Sequence, residues 1–200
     1  MPKQVDHHAR RLDLLDALMR ITRRDGWDGV SLRKVAAEAG VSMGMVQHYF
    51  ATKDEMLRFA IEMMAEDVRA RIRVRVAELP QPPTPRALVE TVLTEMIPRP
   101  SRRDTEAEAS DVWMRRFLLR PESRAVLGQG AEDLRAGLVQ QILLARQGDA
   151  AAAERDARGL MALIDGLIFN IVMGLLDEDS ATEVLRGQLD YVFGGATWST

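Results

Sequence analysis

The sequence predicts an all-α chain of about nine helices. Three observations carry this. Apolar residues recur at helical spacing along nearly the whole chain. No segment of any length alternates polar and apolar residues as a half-buried strand would. Glycines and prolines fall where helices must stop, at Gly26, Gly40, Pro80, Pro98, Pro100 and Pro121.

In the first helix Leu14, Leu18 and Ile21 fall at i, i+4 and i+7, with Leu12, Leu15 and Met19 on an adjoining stripe. It ends at Gly26, after the basic turn Arg23-Arg24, and His7 and His8 are expected to precede it. A second helix starts after the N-cap Ser31 and ends at Gly40. A short third runs from Ser42 to about Phe50, and a fourth from near Lys53 to about Ala77. Residues 80–85 then hold four prolines in six positions, which no helix tolerates. They mark a loop inside the C-terminal half, because the fourth helix already links the two halves. Helices are expected at roughly 85–97, 104–120, 122–147, 151–177 and 180–193. The division falls between an N-terminal unit, 1–52, and a larger helical unit, 53–200.

Composition narrows the classes. The chain has 200 residues, 46% of them apolar and 28% charged, as in ordinary globular proteins. It has no cysteine, which excludes disulfides and thiolate metal sites and fits a reducing compartment such as the cytoplasm. Met1 to Arg11 is polar and lacks the apolar stretch of a signal peptide. The greasiest segment, Leu160 to Leu176, is interrupted by Asp165, Gly166, Asn170 and Gly174, which argues against a membrane span. The net charge is −3, yet residues 1–50 carry eight Lys/Arg against six Asp/Glu, and the remainder nineteen against twenty-four. A mildly basic head on an acidic body suits a local nucleic-acid patch.

The segment Ser31 to Phe50 carries the chemistry. Two helices crossing steeply need small residues at their contact, and Ala36 and Ala39 supply them. The sharp turn needs positive φ, which Gly40 tolerates. Val35, Val41, Val46 and Phe50 are spaced to pin both helices onto the first. This is the spacing of a helix-turn-helix. Ser42 caps the second helix of the pair, whose free N–H groups and dipole attract phosphate. Outward on it stand Met43, Gly44, Met45, Gln47 and His48. Gly44 allows close approach, Gln47 suits an adenine edge, and Met43 and Met45 suit thymine methyls. Arg10, Arg11, Arg33, Lys34 and Lys53 flank the unit as phosphate partners. Two short helices joined by a glycine turn also occur in ordinary bundles, so a helical interaction protein that does not read DNA is the competing class.

Residues 31–57 resemble the DNA-binding domain of the TetR family of bacterial transcriptional repressors. The residues carrying the resemblance are Ser31, Val35-Ala36, Ala39-Gly40-Val41-Ser42, Gly44, His48-Tyr49-Phe50, Lys53-Asp54-Glu55 and Leu57. Arg10 to Trp27 fits that family's first helix. The resemblance implies that Tyr49 and Lys53 contact phosphates and that His48 is a candidate for the same role. Met45 and Gln47 depart from the family, which usually has Thr and Tyr there, so no relative's operator carries over. The segments Glu95 to Pro98, Asp111 to Met114 and Met161 to Leu167 resemble the branch containing the choline-responsive repressor. That implies a ligand cavity between helices four to eight, dimerisation by the last two helices, and a pendulum movement of the fourth helix on ligand binding.

The residues themselves also suggest the dimer. Leu160, Leu163, Ile164, Leu167, Ile168, Ile171, Val172 and Leu175 cover a wide face, and Val184, Leu185, Leu189 and Val192 form a stripe on the final helix. They are either a four-helix interface across a two-fold axis or the core of a monomer. Trp113, Met114 and Phe117 are ligand candidates, with Met64, Met96, Ile168, Phe169 and Met173 near them by family topology. Asp165 and Asn170, polar within an apolar helix, meet either a ligand or the dimer partner. Asp111 beside Trp113 suits a cation. His7, His8 and His48 form no metal-spaced set, and no nucleophile triad, phosphate loop or dinucleotide glycine pattern is present, so no enzyme, cofactor or metal is expected. The partners expected are a double-stranded operator on the bacterial nucleoid, a small-molecule effector and a second copy of the chain.

Overall fold

Side-chain caps set where most of the helices begin. The computed structural model describes residues 7–26, 29–98, 121–146 and 149–194; among these it contains eight helices and no strand. They are α1 (His7–Asp25), α2 (Leu32–Glu38), α3 (Met43–Tyr49), α4 (Lys53–Ala77), α5 (Pro85–Met96), α6 (Pro121–Arg146), α7 (Ala150–Val172) and α8 (Glu178–Gly194). The Thr52 hydroxyl accepts from the Glu55 amide at 3.0 Å and opens α4. Thr84 accepts from the Ala87 amide at 3.2 Å and opens α5, whose first residue is Pro85. The Asp149 carboxylate accepts from the amides of Ala151 and Ala152 and opens α7.

The chain is all-α, as its periodicity predicts. The helix expected over 104–120 lies outside the described residues. Two boundaries differ from expectation. Helix α1 already includes His7 and His8. Helix α7 stops at Val172 instead of near residue 177, because Gly174 turns the chain at φ 69° and the Leu175 amide donates back to the Asn170 carbonyl at 2.9 Å.

Two apolar cores form. The first gathers Leu14, Ala17, Leu18 and Ile21 of α1, Val35 and Ala36 of α2, and Val46 of α3. Phe50 and the α4 residues Met56, Leu57, Phe59 and Ala60 complete it. The second gathers Val89 and Leu93 of α5, Leu138 and Ile142 of α6, and the inner faces of α7 and α8. Helix α4 therefore belongs to both halves. Its first turns are built into the N-terminal core, and its last turns are clasped to α5. The clasp is the Glu95 carboxylate, only 4% exposed, which faces Arg71 Nε at 3.5 Å and Arg75 Nε at 3.4 Å. Arg71 also donates to the Glu95 carbonyl. Elsewhere in the C-terminal bundle, Arg86 joins α5 to α8 through Asp190 at 2.6 Å. Arg146 joins the end of α6 to Asp156 and to the Val192 carbonyl.

Candidate nucleic-acid interface

The turn between α2 and α3 follows from three residues. The Gly40 backbone sits at φ 66°, a left-handed conformation that costs other L-residues about 1–2 kcal/mol. With it in place, the Val41 amide donates to the Ala36 carbonyl at 2.9 Å and the Gly40 amide to Ala37 at 3.2 Å. These two bonds satisfy the last carbonyls of α2 and aim the chain into α3. Ser31 and Ser42 cap the pair, accepting from the amides of Lys34 and Met45, each at 3.2 Å. Val46 and Phe50 are fully buried and anchor the inner side of α3 on α1 and α4.

That anchoring leaves the opposite side of α3 free. Met43 is 37% exposed and Met45 39%, and Gly44, Gln47 and His48 are exposed with them. Tyr49 is half-buried, its ring edge-on to His48 with centroids 5.1 Å apart. Ser31 and Arg33 are exposed at the start of α2, and Lys53 is half-buried at the start of α4. These residues are exposed or half-buried on α3 and at the starts of α2 and α4.

Three of the basic residues expected there are otherwise engaged. Arg10 pairs with Asp13 at 3.2 Å, and Lys34 with Asp25 at 3.2 Å. Both are exposed pairs of small energetic weight, which leaves them open to exchange for a phosphate. Arg11 is different. Its guanidinium lies over the ring of Phe59 at 4.0 Å and that of Phe50 at 4.9 Å, and its Nε is buried without a hydrogen-bond partner. It is therefore turned toward the aromatic pair that joins the head to α4, away from the role of phosphate ligand.

Sequence reasoning missed an ion network behind the turn. Arg20 Nε donates to Glu38 at 2.9 Å, and Arg24 bridges Glu38 and Asp25, each at 3.1 Å. Hydrogen bonds from Arg20 and then Arg24 hold the Glu38 carboxyl below its usual range, and those from Arg24 and then Lys34 do the same for Asp25. The network ties α1 to α2 and fixes the head as a unit. Its signal was the placement of Arg20 and Arg24 one turn apart on α1, at the edge of the buried stripe of Ala17 and Ile21.

In the C-terminal half, Leu160, Ile164, Leu167, Ile171, Leu185, Leu189 and Val192 are all buried in the chain's own core. Among the described residues expected to make the dimer, Leu175 and Val184 are outward, at 70% and 47% exposed. Phe169 and Met173 are exposed as well. Asp165 and Phe169 are exposed on α7, and Met173 is exposed at its C-cap. Asn170 donates to the Gly166 carbonyl of its own helix at 2.7 Å. Met96 packs half-buried against the C-terminal core. The ligand candidates Asp111, Trp113, Met114 and Phe117, and the side chain of Met64, lie outside the described residues.

Residues 14–59 match the family described as bacterial regulatory proteins of the tetR family, and residues 85–194 match the C-terminal domain of BetI-type transcriptional repressors. The chain belongs to the TetR family. Over 178 residues it is 32% identical to the HTH-type transcriptional regulator PksA of Bacillus subtilis, covering 86% of this chain and 83% of that protein. A transcriptional regulator from Rhodococcus sp. Rha1 superposes with a TM-score of 0.76 at 28% identity, covering 93% of this chain and 97% of that one. The multidrug binding protein EbrR, solved with malachite green, superposes with a TM-score of 0.65 at 26% identity, covering 92% and 98%. This TetR-family chain is thus a transcriptional regulator with a DNA-binding helix-turn-helix, and its family consists of regulators, not enzymes. No helix among the described residues is long and apolar enough to cross a membrane.

Proposed function

We propose that this TetR-family regulator is a homodimeric repressor that carries out no catalysis. Two copies hold a pseudo-palindromic operator through their α3 helices, and a small-molecule effector releases them. One observation carries the reading: a short, capped helix is pinned on one side by Val46 and Phe50 and presents its other side to solvent. In that arrangement Ser31, Arg33, Ser42, Gly44, His48, Tyr49 and Lys53 face the DNA backbone, and Met43, Met45 and Gln47 face base edges. Arg10 and Lys34 add phosphate contacts by exchanging their carboxylate partners.

The division into a DNA-reading head, 1–52, and an effector and dimerisation body, 53–200, is part of this reading. Helix α4 couples the two, since Met56, Phe59 and Ala60 sit in the head's core and Arg71 and Arg75 hold Glu95 of α5. The dimer forms on the outer faces of α7 and α8, where Phe169, Met173, Leu175 and Val184 are exposed. The effector binds between α4 and the helices after it, through Met64, Met96, Trp113, Met114 and Phe117. Asp111 beside Trp113 favours a cation. The binding of malachite green by EbrR supports an organic effector for this architecture. The protein works in the bacterial cytoplasm, on the nucleoid.

Sequencing genomic fragments captured by the purified protein tests this. The expected result is enrichment of an inverted repeat whose half-sites lie one helical turn apart, ~34–36 Å, or a multiple of it. Absence of any enriched sequence would contradict the reading and favour a helical interaction protein. A melting-temperature screen against quaternary amines tests the effector class. No shift with any of them excludes the cationic ligand, and a binder that leaves operator affinity unchanged contradicts release.

A further inference from the structure

Helix α3, of sequence Met-Gly-Met-Val-Gln-His-Tyr, contains no lysine and no arginine. The commonest base-specific contact in a major groove, a bidentate Arg or Lys on guanine, is therefore not available from this helix. What it offers instead is apolar. Met43 and Met45 are 37% and 39% exposed, and neither is among the buried residues of the head's core. At 100° per residue they flank the line of Gly44 and His48, one on each side. Between them Gly44 adds no side chain, and a Cβ placed there would meet only the Ser42 hydroxyl, at 4.0 Å. The bare glycine lets the helix approach closely while two long, unbranched thioether chains reach past it. They occupy the first and third positions of α3, the end that meets base edges when a helix-turn-helix docks. The apolar group on a major-groove edge is the thymine 5-methyl, and Gln47 complements adenine.

We infer that α3 selects its operator by seating Met43 and Met45 on thymine methyl groups, so that each half-site is built on T·A pairs, with guanine unread under this helix. This rests on the DNA-binding reading of α3 and deepens it to the chemistry of the recognised bases. The probe is the duplex enriched by the full-length protein from a random-sequence pool, with thymines replaced one at a time by deoxyuridine. That change removes one methyl and leaves every hydrogen-bonding group in place.

Each contacted position should lose about fourfold in affinity, the factor one buried methyl supplies. The double variant M43A/M45A should bind the thymine duplex more weakly than the wild type and be indifferent to deoxyuridine. Both side chains lie outside the buried core, so the variant should stay folded, with at most a small drop in its melting temperature. Equal binding of thymine and deoxyuridine duplexes would overturn the inference while leaving DNA recognition intact. So would a double variant that still discriminates between them. A protein that enriches no duplex at all overturns the DNA-binding reading itself, and the inference with it.

Discussion

The guanidinium of Arg11 lies 4.0 Å above the ring of Phe59, joining α1 to the first turns of α4. A cation over an aromatic face contributes about 0.5–2 kcal/mol, depending on its hydration. The arginine stem adds apolar contact of its own. The orphaned Nε offsets part of this gain. Arg11→Ala should therefore lower stability by about 1–2 kcal/mol in denaturant titrations, and Arg11→Met, which keeps the stem, should recover most of it. Because the Arg11 guanidinium lies over the rings, Arg11→Met should leave the salt dependence of operator binding unchanged. Arg33→Ala should reduce that slope by about one unit per contacted phosphate.

The clasp at Glu95 leads to a second prediction. Its carboxylate is buried against two half-exposed arginines, so Glu95→Ala removes the partner they share, although Arg75 keeps Glu78 at 2.9 Å, and opens a gap between α4 and α5. A loss of about 2–3 kcal/mol is expected. Glu95→Gln keeps the shape and should fall between the two. An unchanged melting curve for Glu95→Ala would show that α4 is held to α5 by apolar contact alone.

Asp165 lies on the outer face of α7, and loss of solvent pushes its carboxyl above the ordinary range. The folded chain therefore holds this proton to a higher pH than the unfolded chain does. Stability contributed by this group falls as the pH rises from the usual carboxylate value of 3.8 through the folded value. Asp165→Asn should be more stable than the wild type at neutral pH, and the two should converge below that range. Thermal melts across a pH series read this directly.

The exposed apolar patch on α7 and α8 predicts the fourth result. Phe169→Glu combined with Val184→Glu places charge on the proposed dimer face and touches neither buried core. Sedimentation should move from dimer to monomer, and operator affinity should fall by orders of magnitude, because each head alone retains only half of the contacts. A double variant that remains dimeric would relocate the interface.

The head was legible in the sequence because its geometry allows few residues. Gly40 must take a left-handed turn, Ala36 must let helices touch, and Val46 and Phe50 must face inward, so spacing alone identified the unit. What covers the apolar faces of the last two helices was not legible. Leu160, Ile164, Leu185 and Leu189 show the same helical period whether they meet a partner or their own chain, and here they are buried within the chain. Periodicity marks an apolar face without saying what covers it. Arg11 misled for a related reason. A basic residue beside a helix-turn-helix suits a phosphate, but whether its stem folds back onto Phe59 depends on where α4 lies. Gly174 ended α7 a turn early for a local reason, its positive φ, which the apolar run through Leu176 concealed.

The central claim is that α3 reads DNA in a two-fold pair. A fluorescence-anisotropy titration of the full chain against its enriched duplex, over a series of salt concentrations, tests it most directly. Saturation at one dimer per site is expected, with affinity falling linearly on a log–log salt plot and at least a thousandfold preference over scrambled DNA. Equal binding to both duplexes, or none at any protein concentration, would contradict it.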